Sequence, residues 1–205
     1  MTLFIKNAKI LNIDKNNKLD ILISGNKISA IGNFYNKKAD KIIDADGSYV
    51  SYGFIDIYNE LDHNFKIFSS GFDIVQEGVL NVLIGHSGIS LVPIFYYFDG
   101  FKKYSSGYGI NLNWQDLNQF NDFLYKQNKN LNFKTLVGFQ NLKHLILRNK
   151  NRNLNQKEFL IFLDILNNIL KSEILGLSLD WENIELEFLT LKQLENIANT
   201  ISKNS

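Results

Sequence analysis

The sequence of 205 residues predicts an α/β protein, with a small β-rich segment ahead of alternating strands and helices. Three observations carry this expectation. Turn signals recur about every ten residues as far as residue 50, the spacing of a small antiparallel sheet. Beyond Tyr52 come apolar runs of strand length with little alternation, as in parallel strands covered on both faces. Between those runs lie helical patterns with apolar residues at i, i+3, i+4 and i+7, and strands that alternate with helices make βα units.

Taken in order, Leu3-Phe4-Ile5 and Ile10-Leu11 read as strand, followed by Asp14-Lys15-Asn16-Asn17 as a polar turn. Residues 19–23 form the next strand, Gly25-Asn26 a turn, and residues 27–31 the returning strand. Residues 41–45 add another, with Asp46-Gly47 as a tight turn. Residues 53–58, 79–84, 133–137 and 174–178 are the apolar strands of the second part. Asn113 is placed to cap a helix whose face is Leu117, Phe120 and Leu124, with Asp116 near its positive end. Asn155 precedes a helix with Phe159, Phe162, Leu166 and Leu170 on one face. Thr190 and Gln193 form a capping box ahead of Leu194, Ile197 and Ile201. The expected division is residues 1–50 and 51–205, the latter holding about four βα units.

Composition narrows the function. Lys and Arg number 22 against 21 Asp and Glu, a net charge of +1. Nucleic acid calls for a strongly basic face and an anionic membrane surface for a polybasic patch, so neither is an expected partner. No apolar run approaches the ~18 residues of a membrane span, and the opening residues are too soon interrupted by charge for a signal peptide. A cytoplasmic location is the expectation. The absence of cysteine excludes disulfides, thiolate zinc ligands and cysteine nucleophiles. The 28 Asn, and the 20 Lys among 22 basic residues, look like the bias of an AT-rich coding sequence, and clusters of these types carry little functional weight.

The run Val50-Ser-Tyr-Gly-Phe-Ile-Asp-Ile-Tyr-Asn-Glu-Leu-Asp62 resembles the amidohydrolase signature V-x-P-G-F-I-D-x-H-x-H-x-D. Downstream, Gln76-Glu-Gly-Val-Leu-Asn-Val-Leu-Ile-Gly-His-Ser-Gly-Ile-Ser90 resembles the Q-G-V-T-T-V-V-x-G-N-C-G-x-S segment of N-acyl-D-amino-acid deacylases (D-aminoacylases). Residues 136–143 resemble that family's L-V-G-H-G-T-L-R, and residues 175–180 its L-G-L-S-T-G/D-L. The matches occur in the family's order and extend over nearly the whole chain. The resemblance implies the N-terminal part of a small β-sandwich followed by about the first half of a (β/α)₈ TIM-type barrel. It also implies a zinc-dependent hydrolase ancestry, in which a metal-bound hydroxide attacks an amide carbonyl at the C-terminal face of the barrel.

The departures from the pattern fall on the metal ligands. The family's H-x-H pair is Tyr58 and Glu60 here, and its cysteine ligand falls at Ser87. A neutral phenol and a serine hydroxyl replace imidazole and thiolate poorly, whereas Glu60 retains a ligating carboxylate. The family's later ligands, two histidines and an aspartate, have no counterpart within residues 1–205. The resemblance therefore implies no catalytic residue and no zinc held by this chain alone, although zinc is the metal of the intact family.

Glu60 and His86 are the candidates for a residual metal contact. Against that, His86 reads as a polar residue at a loop start, and Glu60 with Asp62 as solvated or lysine-paired carboxylates. Asp56 matches the signature aspartate and reads as structural. His63 and His144 have no partner at metal spacing. Gly85-His-Ser-Gly88 lacks the final glycine of a nucleophile elbow, Ile89 standing there. Ser105-Ser-Gly-Tyr-Gly109 lacks the lysine of a phosphate loop, and the aromatic Phe95-Tyr-Tyr-Phe98 reads as core before pocket. The expected protein is a truncated, degenerate amidohydrolase, inactive alone. The alternatives are the N-terminal half of a split enzyme completed by a C-terminal half chain, and a non-enzymatic scaffold that self-associates through open barrel edges.

Overall fold

The computed structural model describes residues 1–11, 13–35, 37–62, 71–93, 114, 116–127, 130–148, 150, 152–180 and 189–204, with backbone only at 14–16. The chain divides into two compact units, Met1–Tyr52 and Gly53–Ser205. His63, Asn113, the aromatic run 95–98 and the loop 105–109 lie outside the described residues.

The first unit contains β1 (Thr2–Ile10), β2 (Asp14–Ser24), β3 (Lys27–Gly32), β4 (Lys41–Asp44) and β5 (Tyr49–Val50). They form one sheet in the order β3-β2-β1-β4, with β5 also paired to β1. The β2–β3 hairpin turns at Gly25-Asn26, where Gly25 takes φ 62°, a left-handed conformation that glycine adopts without steric cost.

Two expectations change here. Ile10 pairs with Asp14, so the first reversal is complete before Asp14, and the polar residues 14–17 belong to β2. Polar side chains mark a turn only where the backbone has no ladder to join, and here β1 supplies one. Second, the sheet is mixed, because β4 and β5 run parallel to β1, with Phe4 opposite Ile42 and Ile10 opposite Val50. Turn spacing counts strands without saying which edge receives them. With β2 between β1 and β3, the far edge of β1 is free, and crossing to it through residues 33–40 gives β4 the direction of β1.

The register of β1 shifts between Ile5 and Ala8, around Asn7 at φ 58°. Asp20 Oδ1 accepts the Asn7 N–H, and Asp44 Oδ1 accepts from Asn7 Nδ2, both at 2.9 Å, so the irregularity leaves these groups satisfied. Phe4, Ala8, Ile10 and Ile21 are buried in this unit.

The second unit follows βα order: β6 (Phe54–Asp56), α1 (Phe72–Gln76), β7 (Val79–Ile84), α2 (Leu117–Gln127), β8 (Asn132–Thr135) and β9 (Val137–Gly138), then α3 (Phe139–Leu147), α4 (Gln156–Leu170), β10 (Leu177–Ser178) and α5 (Leu191–Ser202). β6, β7 and β8 form a parallel sheet in that order, and β9 pairs in parallel with β10. The two ladders adjoin: the Leu136 N–H donates to Ile84 O at 2.8 Å and the Leu175 N–H to Thr135 O at 3.0 Å. The architecture is α/β. The strand expected at 53–58 is only three residues long.

Local chemistry explains the helix starts. Asn155 and Glu158 exchange side-chain and backbone hydrogen bonds in a full capping box at the head of α4, as do Thr190 and Gln193 at α5. Asp116 Oδ1 accepts the Gln119 N–H at 2.9 Å, so Asp116 itself caps α2. Val82 and Ile84 of β7 pack with Phe120, Leu142, Phe162 and Leu166 in one core, each nearly or fully buried. Full burial of such side chains contributes about 1.5–3 kcal/mol each. Among the described residues no helix is long and apolar enough to cross a membrane.

Candidate strand-end site

In parallel α/β sheets the loops that leave the carboxyl ends of the strands converge on one face, where ligands bind. Here those loops are residues 57–62 after β6 and residues 85–93 after β7.

Tyr58 donates its N–H to Asp56 Oδ1 at 3.1 Å, which gives the signature aspartate a structural partner. The exposed Tyr58 ring lies against the buried His86 ring, with centroids 5.1 Å apart and planes tilted by 59°. Leu83 O accepts two side-chain donors, Asn59 Nδ2 at 3.0 Å and His86 Nε2 at 2.9 Å. Because a carbonyl oxygen only accepts, this geometry assigns the proton of a neutral His86 to Nε2. Asp62 is fully buried, and its Oδ2 accepts the Gly85 N–H at 2.9 Å. Gly85 takes φ 85°, and a Cβ there would collide with Leu136 O, so the turn after β7 requires glycine.

Deeper in the same loop, Asn141 of α3 closes a buried network. Its Oδ1 accepts the Ser90 N–H at 2.9 Å, and its Nδ2 donates to Ser90 O at 2.7 Å and Pro93 O at 3.1 Å. Ser90 Oγ donates to Val92 O and accepts the Gly138 N–H at 2.9 Å.

The candidates thus separate. Tyr58 and His86 come together. Glu60 is exposed, and Ser87 is half-buried at φ 54° in the turn beyond. Asp62, expected to be solvated or paired with lysine, is not solvated: it is fully buried, with its Oδ2 on the Gly85 N–H, because the 61–62 turn folds it beneath the β7 loop. His144 sits on α3, where burial and then the Lys143 charge push its pKa down. Asn59 and Asn141 went unnoticed in the sequence, where the abundance of asparagine conceals them. The place of Asn59 inside the signature run was the available signal.

Among the described residues no three His, Asp or Glu side chains gather so as to hold a metal ion. At the strand ends stand a phenol, a hydroxyl, one exposed carboxylate and an imidazole whose Nε2 is committed to Leu83 O. Catalytic zinc takes three protein ligands drawn chiefly from imidazole, carboxylate and thiolate. The described residues do not fit it.

No protein-family model matches the sequence, and no curated protein matches it. The fold does match solved structures. A crystal structure of D-aminoacylase superimposes with TM-score 0.76 at 19% identity, covering 98% of this chain and 43% of that one. N-acyl-D-glutamate deacylase from Bordetella bronchiseptica, solved with zinc and a phosphonate inhibitor, gives TM-score 0.75 at 20% identity with the same coverage. D-hydantoinase gives 0.51 at 18% identity over 86% of this chain and 32% of its own. The chain spans less than half the length of each of these enzymes. Over nearly all its residues, this chain has the α/β fold of the corresponding portion of D-aminoacylase.

Proposed function

We propose that this chain is a degenerate amidohydrolase-type unit of deacylase descent that does not hydrolyse amides on its own. In this reading residues 1–50 are a β-sandwich segment, and residues 51–205 are the first βα units of a (β/α)₈ barrel. The fold likeness to D-aminoacylase supports the descent. The observation that carries the loss of chemistry is the Tyr58–His86 ring contact, in which the phenol that stands at a histidine-ligand position of the signature packs on a neighbouring imidazole. Tyr58 and Ser87, standing for imidazole and thiolate, support the same conclusion.

One observation favours completion by further strands, from a C-terminal half or a second copy. Among the described residues β6 pairs only with β7, and Phe54, Ile55 and Ile57 are 57%, 66% and 68% exposed. Parallel strands ordinarily bury both faces, so another strand laid along β6 would cover this apolar surface.

The test is metal content and turnover of the purified 205-residue chain. The expected outcome is no stoichiometric zinc and no hydrolysis of N-acetyl-D-glutamate or a neutral N-acetyl-D-amino acid. Turnover above the level of a Glu60→Ala control would overturn the proposal. Sedimentation equilibrium tests the β6 edge, where a discrete dimer with cooperative unfolding would favour self-association.

A further inference from the structure

We propose that the loops after β6 and β7 are tied together by a metal-independent clamp built from Tyr58, Asn59, Asp62 and His86. The inference rests on the reading that no catalytic metal is held here, and it assigns these strand-end side chains a role of their own.

A metal at the mouth of adjacent strands cross-links the loops that ligate it. Here side chains make the same connections. Leu83 O, at the end of β7, receives donors from both loops, Asn59 Nδ2 and His86 Nε2, which uses both of its lone pairs. Asp62 Oδ2 reaches from the first loop to the Gly85 N–H at the root of the second. The Tyr58 ring covers the His86 ring at 5.1 Å, within the range of favourable tilted aromatic pairs. His86 is consequently only 8% exposed although it stands at a loop start. Each contact crosses between the loops or secures a group that does. A metal approaching His86 through Nε2 would first have to break the bond to Leu83 O, and among the described residues Glu60 belongs to no group of three metal-ligating side chains.

The clamp and the absence of catalysis are separable by experiment. Thermal unfolding of the full chain is recorded with excess EDTA, with added zinc, and for Tyr58→Leu, His86→Gln and the double variant. EDTA and zinc are expected to leave the Tm unchanged. Each single variant is expected to lower it by about 2–4 °C, the effect of losing one modest contact in a chain of this size, and the double variant by clearly less than the sum. Additive losses would overturn the clamp while leaving the absence of catalysis standing. A zinc-induced rise in Tm that disappears in Glu60→Ala would overturn both.

A second measurement needs no variant. In the ¹⁵N-labelled chain near neutral pH, His86 is expected as the Nε2–H tautomer, with signals unmoved by zinc. The Nδ1–H tautomer, or a zinc-dependent shift at Nε2, would refute the proposal.

Discussion

Replacing Asn141 by leucine keeps the side-chain volume close and removes the side-chain hydrogen bonds that join α3 to the β7 loop, leaving the backbone bond from the Gln140 N–H to Gly88 O. The structure sets the loss. The buried Ser90 N–H loses its acceptor, and the carbonyls of Ser90 and Pro93 lose a shared donor. An orphaned buried polar group costs about 1–3 kcal/mol, so the three groups at the low end of that range cost about 3 kcal/mol together. At about 2–4 °C per kcal/mol for a chain of this length, the Tm of the second unit should fall by roughly 6–12 °C. Circular dichroism melts at neutral pH read this directly. Asn141→Asp is the sharper variant. It keeps an acceptor for Ser90 but turns a carboxylate oxygen towards two carbonyls, so its carboxyl pKa in the folded chain would rise. Stability that depends on the protonated form is present below the unfolded pKa and is lost as pH rises through the folded one. Asn141→Asp should therefore recover as pH falls towards 4, a value near the ordinary aspartate pKa. A drop of less than ~1 °C in Asn141→Leu, or an Asn141→Asp variant indifferent to pH, would refute the reasoning.

Other expectations follow from single contacts. Asn155→Ala removes one side of the α4 capping box and should cost about 1 kcal/mol by urea unfolding; an unchanged midpoint would exclude the cap as a contributor. Hydrogen bonds from Asn7, with Lys6 and Asp46 adding to them, hold the Asp44 carboxyl at about 2, and Arg152 with the Asn155 N–H holds Glu158 at about 2. Both folded values lie below the unfolded ones, so this stabilisation is present above pH ~4.5 and is lost as pH falls towards 2. Asp44→Asn should flatten the acid limb in the first unit and Glu158→Gln that in the second, and equal slopes with wild type would contradict it. His144 should titrate below its ordinary value by NMR, with the midpoint rising in Lys143→Gln. Gly138→Ala places a Cβ against Gly88 O and should strongly destabilise the start of α3, whereas wild-type stability would show that the loop yields.

What was legible in the sequence was what local chemistry decides. The capping pairs Asn155–Glu158 and Thr190–Gln193, the Gly25-Asn26 turn and the buried faces of α2 and α4 all follow from residues a few positions apart. The parallel pairing of β4 with β1 was not legible, because it depends on which sheet edge stays free after β2 and β3 are laid down. The motif pointed to Tyr58, Glu60, His86 and Ser87 as strand-end residues. The contact of Tyr58 with His86 was hidden, since only adjacent parallel strands bring residues so distant in sequence together. Asp62 shows the same limit: one carboxylate in a polar run looks solvated until the loop above it closes.

The position of β1 also governs how the first unit comes into being. β2, β4 and β5 all pair directly with β1, and β3 reaches it through β2. During synthesis the β1–β2–β3 meander is complete once residue 32 has emerged, yet the other flank of β1 stays bare until residues 41–44 arrive. In that interval the nascent chain presents an unpaired backbone edge beside Leu3 and Ile5. Shortening the protein from its amino end would remove the strand on which the others are assembled.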